Sequence, residues 1–269
     1  MEVFATMTFG IPASNSNMHS LCNVLIAMQA VADSVMNSCS FMYLYLYLKH
    51  KLLLDRHCYY AMFASFYAMN VTVLLMFWIG IDRLLSVKYA VWYKMLNFKR
   101  YLAFILSICS IYSTLIMTIG FLTLKDEEIF CTLTFSFNGL GRDIWVGCQF
   151  TIHVAVIVVY SILRKKLKSQ VVDMKTSLQL MKSIYTVMIL YIVCWVTAMV
   201  ALLIGKITNS SKNVETAIEM AFGLVTLSNT SVPCVVYFVQ SAKYRRAILR
   251  LFGRRPGEVT CSVLSKKQF

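Results

Sequence analysis

The chain has 269 residues, of which 59% are hydrophobic and 14% charged, with a formal net charge of +14. Soluble domains carry about 45–50% apolar and about 25% charged residues, so a soluble globular domain is excluded and a bilayer is the expected solvent. The positive balance does not mark a nucleic-acid binder, because the basic residues lie outside the middles of the apolar blocks.

Six such blocks follow one another, at 21–48, 59–81, 101–124, 144–163, 184–204 and 217–239. Each is near or above the roughly 20 residues that a helix rising about 1.5 Å per residue needs to cross a hydrocarbon core of about 30 Å. The runs are continuous rather than alternating, which selects helices over a transmembrane barrel, and a helix satisfies its own backbone groups in lipid. The expected fold is therefore all-α, a polytopic transmembrane helical bundle. Short connections make it one domain: an N-terminal segment 1–20, the bundle over 21–239 and a tail over 240–269.

If block ends alternate sides, one side holds Lys49, Lys51, Arg56, Lys125, Arg142, Lys206 and Lys212. The other nineteen of the 26 basic residues, including Lys88, Lys94, Lys99, Arg100, the Arg164–Lys168 cluster and the tail from Lys243, lie opposite. The positive-inside rule puts that second side, and the tail, in the cytoplasm. Residues 1–20 contain no Lys or Arg, so no cleavable signal peptide is expected. The first block has no basic residue before it and Lys49 and Lys51 after it, a local bias opposite to the orientation of the whole chain. A missing upstream helix with a basic loop would remove that conflict.

Within the first block, Asp33 is the charged residue that stands out. An acid near mid-bilayer costs about 2.5–3.5 kcal/mol on insertion scales, so Asp33 is expected to face the bundle or a water-filled cavity; a protonated packing residue is the alternative. In the second block Cys58 and Arg83 are 25 residues apart, about 38 Å along a helix, which puts them at opposite membrane faces. Asp82-Arg83-Leu84 then sits at the cytoplasmic mouth, where snorkelling alone would also tolerate it. Among nine cysteines, Cys22, Cys39, Cys109, Cys148, Cys194 and Cys234 fall in or beside spans, as small packing residues do. Cys58 and Cys131 both fall on the outer, oxidising side, where a bond would staple the second block to the loop between the third and fourth; sequence alone does not fix the geometry.

The fifth block carries Cys194-Trp195-Val196-Thr197 and the sixth carries Ser228-Asn229-Thr230-Ser231-Val232-Pro233. Pro in a spanning helix frees a carbonyl and bends the helix, while neighbouring Ser, Thr and Asn re-satisfy the freed groups, so Trp195 and Pro233 are hinge candidates. Residues 240–252 alternate basic and apolar residues at helical spacing and precede Gly253, the pattern of a short amphipathic helix on an anionic inner leaflet.

Taken in order, these features resemble the rhodopsin-like G-protein-coupled receptors, and within them most closely the nematode serpentine receptor class SX of chemoreceptors. The resemblance rests on Cys22-Asn23 with Asp33, on Cys58 with Ile79-Gly80-Ile81-Asp82-Arg83-Leu84-Leu85-Ser86-Val87-Lys88-Tyr89, on Cys194-Trp195, and on Pro233 with Ser241-Ala242-Lys243-Tyr244-Arg245. It implies six of the family's seven helices plus the amphipathic cytoplasmic helix, the first helix being absent. It also implies a polar cluster, able to hold a sodium ion, of Asp33, Thr72, Trp195, Ser228 and Asn229. Asp82, Arg83 and Leu84 would form the coupling element for a heterotrimeric G protein, and Trp195 would sense ligand from the pocket floor. Thr197 stands where the family has a helix-bending Pro, the third block lacks Trp, and Val232 and Val236 replace the usual Asn and Tyr around Pro233.

The expected function is a plasma-membrane chemosensory receptor that binds an external small molecule. Counting back from Arg83 puts Ser65, Phe66 and Met69 on the outer half of the second block, facing a pocket with Met199 and Phe222; none is acidic, which disfavours a biogenic amine. A transporter or channel using Asp33 as its ion site is one alternative, and a truncated, non-signalling receptor product is another. An enzyme fits poorly, since His50, His57 and His153 are scattered and form no metal or nucleophile spacing. Asn209-Ser210-Ser211 lies in the last outer loop and is open to glycosylation, whereas Asn70-Val71-Thr72 and Asn229-Thr230-Ser231 match the same sequon inside spans.

Overall fold

The computed structural model describes residues 21–49, 52–125, 127–129, 131, 137 and 139–169, with scattered helical positions between 185 and 239. Four long helices dominate it: α1 (Leu21–Leu48), α2 (Asp55–Lys88), α4 (Phe98–Leu122) and α5 (Gly139–Ser169). A six-residue helix, α3 (Ala90–Met95), fills the turn between α2 and α4. Two two-residue strands, β1 (Leu53–Leu54) and β2 (Glu128–Ile129), complete the described elements.

The segments α2, α4 and Gly139–Lys166 of α5 are long and apolar enough to cross a bilayer. α1 is 28 residues long, and Val24–Ser38 is a shorter apolar stretch among its described residues. Several polar side chains in these helices are satisfied by carbonyls of their own helix. Ser34 donates to the Ala30 carbonyl at 2.8 Å, Asn37 to Asp33 at 2.7 Å, and Thr151 to Gly147 at 2.8 Å.

α2 has 34 residues, about 51 Å of helix against a core of about 30 Å, so both ends project beyond the hydrocarbon. It runs past the apolar block at its inner end because Asp82, Arg83 and Lys88 reach the interface, where charge is tolerated. α2 is also the central helix. It packs on α1, α4 and α5, and 67% of its most apolar stretch is buried, against 28% for α4 and 33% for α5. Gly80 lets α5 approach closely: a Cβ there would meet Tyr160 at 2.7 Å and Val159 at 3.0 Å.

Between α3 and α4, Asn97 caps the start of α4 by accepting from the Lys99 and Arg100 amides at 3.1 and 3.4 Å. Just before α2, β1 pairs antiparallel with β2, Leu53 opposite Ile129 and Leu54 opposite Glu128. Asp55, the first residue of α2, joins the same ends: its amide donates to the Glu127 carbonyl at 3.0 Å, and its carboxylate accepts from the Lys125 amide at 3.0 Å.

Candidate functional site

At the C-terminal end of α2 the Asp82 carboxylate is shared between two donors. Arg83 Nη2 approaches Asp82 Oδ2 at 3.1 Å, and the Tyr93 hydroxyl donates to Asp82 Oδ1 at 2.6 Å. Asp82 is fully buried and Arg83 only 16% exposed, so this is a screened arrangement and not a solvated surface pair. Tyr93 comes from α3, which the turn at Tyr89 folds back beneath α2. Burial, and the Asp82 carboxylate to which it donates, push the Tyr93 phenol well above its ordinary range. The Cys22 thiol, buried at the start of α1, lies near the Arg83 guanidinium, so α1 reaches the same corner. Leu84 is half-buried against the core.

Halfway along, Asp33 of α1 and Thr72 of α2 face each other, the Thr72 hydroxyl donating to Asp33 Oδ1 at 3.2 Å. Both are buried. Ser65, one of the three outer residues on α2, donates instead to the Val35 carbonyl of α1 at 3.2 Å. Trp195, Met199, Phe222, Ser228, Asn229 and Pro233 lie outside the described residues. Thr197 is described, and its hydroxyl donates to the Val193 carbonyl at 2.7 Å, engaging the carbonyl one turn back that a Pro at 197 would have left without its donor.

At the N-terminal end of α2 Cys58 and Cys131 form a disulfide, with both residues buried. It joins the first turn of α2 to the connection between α4 and α5, beside the β1–β2 pair. From that connection Phe137 turns inward until only 1% of it is exposed. Its ring meets Phe66 edge-on at 4.8 Å, stacks on Trp145 of α5 at 5.6 Å and touches Tyr59 at 6.4 Å. Gly120 makes the room, since a Cβ there would overlap the Phe137 ring. Phe66 is fully buried beneath Phe137, so this part of α2 is covered by an aromatic plug drawn from the loop between α4 and α5.

One turn deeper, Asn70 of α2 meets α5. Its Oδ1 accepts from Trp145 Nε1 at 3.2 Å and from Gln149 Nε2 at 2.8 Å, and Asn70 and Gln149 are both fully buried. His153 Nδ1 lies 2.6 Å from the Gln149 carbonyl.

Sequence reasoning names Asp33, Thr72, Cys58, Cys131, Asp82 and Arg83 at positions the fold brings into these three levels. It misses Tyr93, Phe137 and the Asn70–Gln149 pair. A signal for the last was present: Asn70 and Gln149 are uncharged amides in the middle of apolar blocks, where an unpaired amide is costly and a partner is required. Tyr93 and Phe137 gave no such signal, because a Tyr or Phe in a connecting segment is ordinary.

The described residues hold no group of three or more His, Cys, Asp or Glu side chains able to bind a metal. No curated protein matches the chain. A family model described as serpentine type 7TM GPCR chemoreceptor Srsx matches residues 7–252. That match spans most of the 269 residues and agrees with the helical membrane bundle and the outer disulfide, so the chain is a multi-pass membrane receptor belonging to the Srsx family of serpentine chemoreceptors.

Proposed function

We propose that this chain is a plasma-membrane chemosensory receptor, with its tail in the cytoplasm, that binds a small external molecule and promotes nucleotide exchange on a heterotrimeric G protein. The observation that carries the reading is the closed arrangement at the inner end of α2, where Arg83 and Tyr93 share the Asp82 carboxylate. An Arg held by a neighbouring acid is available to a partner only when that contact opens, so the same residues give a resting and an open state. A ligand shifts the balance by binding one state more tightly than the other. Asp82, Arg83 and Leu84 are the coupling element in this reading, and Tyr93 is the latch on it.

The Asp33 carboxylate and the Thr72 hydroxyl offer two facing oxygens at mid-membrane. A hard monovalent cation such as sodium takes oxygen ligands, and these two would form one wall of its site. Bound there, the ion would neutralise the acid and hold α1 against α2 in the resting state.

The test is reconstitution of the full chain in lipid nanodiscs with a panel of heterotrimers, followed by nucleotide exchange. Exchange above that of the heterotrimers alone is expected, and Arg83→Ala should abolish it while leaving the disulfide formed. Ion-coupled flux in proteoliposomes without any exchange would instead mean a transporter and sink the reading.

A further inference from the structure

The contact between α2 and α5 contains a polar chain whose direction is fixed by one residue. The Trp145 indole can only donate, so Asn70 must turn its carbonyl oxygen towards it, and Gln149, reaching the same oxygen, must present its amide nitrogen. This leaves Asn70 Nδ2 and Gln149 Oε1, one donor and one acceptor, fully buried and without a hydrogen-bond partner among the described residues. Turning Asn70 over would set donor against donor, and turning Gln149 over would set acceptor against acceptor. Two orphaned polar atoms in a low-dielectric interior are costly unless something fills them.

Directly outward lies the aromatic plug. Phe66 precedes Asn70 by four residues, on the same face of α2 and about 6 Å nearer the outside. The Phe137 ring lies between Phe66 and Trp145, and Trp145 is itself bonded to Asn70. The space that the Phe137 ring fills, against Phe66, Trp145 and Gly120, therefore adjoins the Trp145–Asn70–Gln149 chain that carries the two orphaned atoms, and its present occupant belongs to a connecting loop. Asp33 is not part of it: Thr72, which holds Asp33, is two residues on from Asn70, about 200° around the helix, so the carboxylate faces the other side of α2.

We propose that this is a ligand site for a small neutral aromatic molecule carrying an adjacent acceptor and donor, of which a primary aryl carboxamide is the simplest form. The ligand ring displaces Phe137 and stacks on Trp145, its carbonyl accepts from Asn70 Nδ2, and its N–H donates to Gln149 Oε1. The proposal rests on the reading that the outer face receives a small molecule, and it names the chemistry of that molecule.

The experiment uses the full chain in nanodiscs with benzamide as probe and cumene as its apolar counterpart of similar shape, read by direct binding without any G protein. Benzamide should bind at least about tenfold more tightly to Phe137→Ala than to the native chain, because the competing ring is gone. In the Phe137→Ala background, Asn70→Leu with Gln149→Leu should weaken benzamide by about tenfold or more, the effect of two lost hydrogen bonds, and leave cumene unchanged. The disulfide and the unfolding midpoint establish that each variant is folded. The proposal is overturned if Phe137→Ala does not bind benzamide, if benzamide and cumene bind alike, or if the Leu pair leaves benzamide unaffected; in each case the two orphaned atoms hold water only. Benzamide binding without nucleotide exchange would keep this site and refute the coupling function, whereas exchange without benzamide binding would do the reverse.

Discussion

Replacing Gly120 by Ala tests the aromatic plug with a single methyl group. A Cβ at this position would occupy the space of the Phe137 ring, which is hemmed in by Phe66, Trp145 and Tyr59. Overpacking of this kind costs about 1–3 kcal/mol, and expelling the ring would instead forfeit aromatic contacts of about 0.5–1.5 kcal/mol per pair. Against this, Ala gains at most about 1 kcal/mol over Gly in a helix, and less in a last turn such as this one. The expected net effect is a destabilisation of about 1–2 kcal/mol. Thermal unfolding of the purified chain in nanodiscs measures it, arranged as a double-mutant cycle with Phe137→Ala. In the native background Gly120→Ala should lower the midpoint; with Phe137 truncated it should be neutral or stabilising, because the methyl then fills vacated space. An equal loss in both backgrounds, or a gain in the native one, would show that Phe137 does not pack on Gly120.

Cys58→Ser should lower the unfolding midpoint and make it insensitive to reductant, matching the reduced native chain. The bond spans 73 residues, so the chain-entropy contribution is at most about 4.5 kcal/mol, and less where inserted helices already confine the ends. Tyr93→Phe keeps the ring but removes the donor to Asp82 Oδ1; since a hydrogen bond to a charged group is worth about 1.5–3 kcal/mol, basal nucleotide exchange should rise severalfold. An unchanged basal rate would remove the latch role from Tyr93. Asp33→Asn retains an acceptor for Thr72 but not the negative charge, so a sodium titration that raises the unfolding midpoint of the native chain should have no effect on the variant. Equal sodium responses would exclude Asp33 as a ligand.

The apolar runs made the membrane bundle legible, because a span of about 20 uncharged residues has few other physical solutions. The ends of the helices were less so. α2 begins at Asp55 and ends at Lys88, beyond the apolar block on both sides, since water and headgroups tolerate a helix without demanding an apolar residue. At the site, the spacing of Cys58 and Arg83 carried topological information that a fixed helical rise converts into distance. Tyr93, Phe137 and the strand pair were not legible, since each depends on where a loop returns in space, which no local period encodes. The hydrogen bond from the Ser65 hydroxyl to the Val35 carbonyl of α1 is likewise a contact that no helical period encodes.

The disulfide, the β1–β2 pair and the Asp55 contacts all tie chain segments together at one end of the bundle. Mechanically this is a fulcrum, and the helices are lever arms. α5 has 31 residues, about 46 Å of rod, so a tilt of about 10° about a fixed outer end carries its inner end through about 8 Å. Adjustments of an ångström near Phe137 and Trp145 are thereby magnified severalfold at Arg164 and Lys165, and the stitching of the outer loops sets the gain.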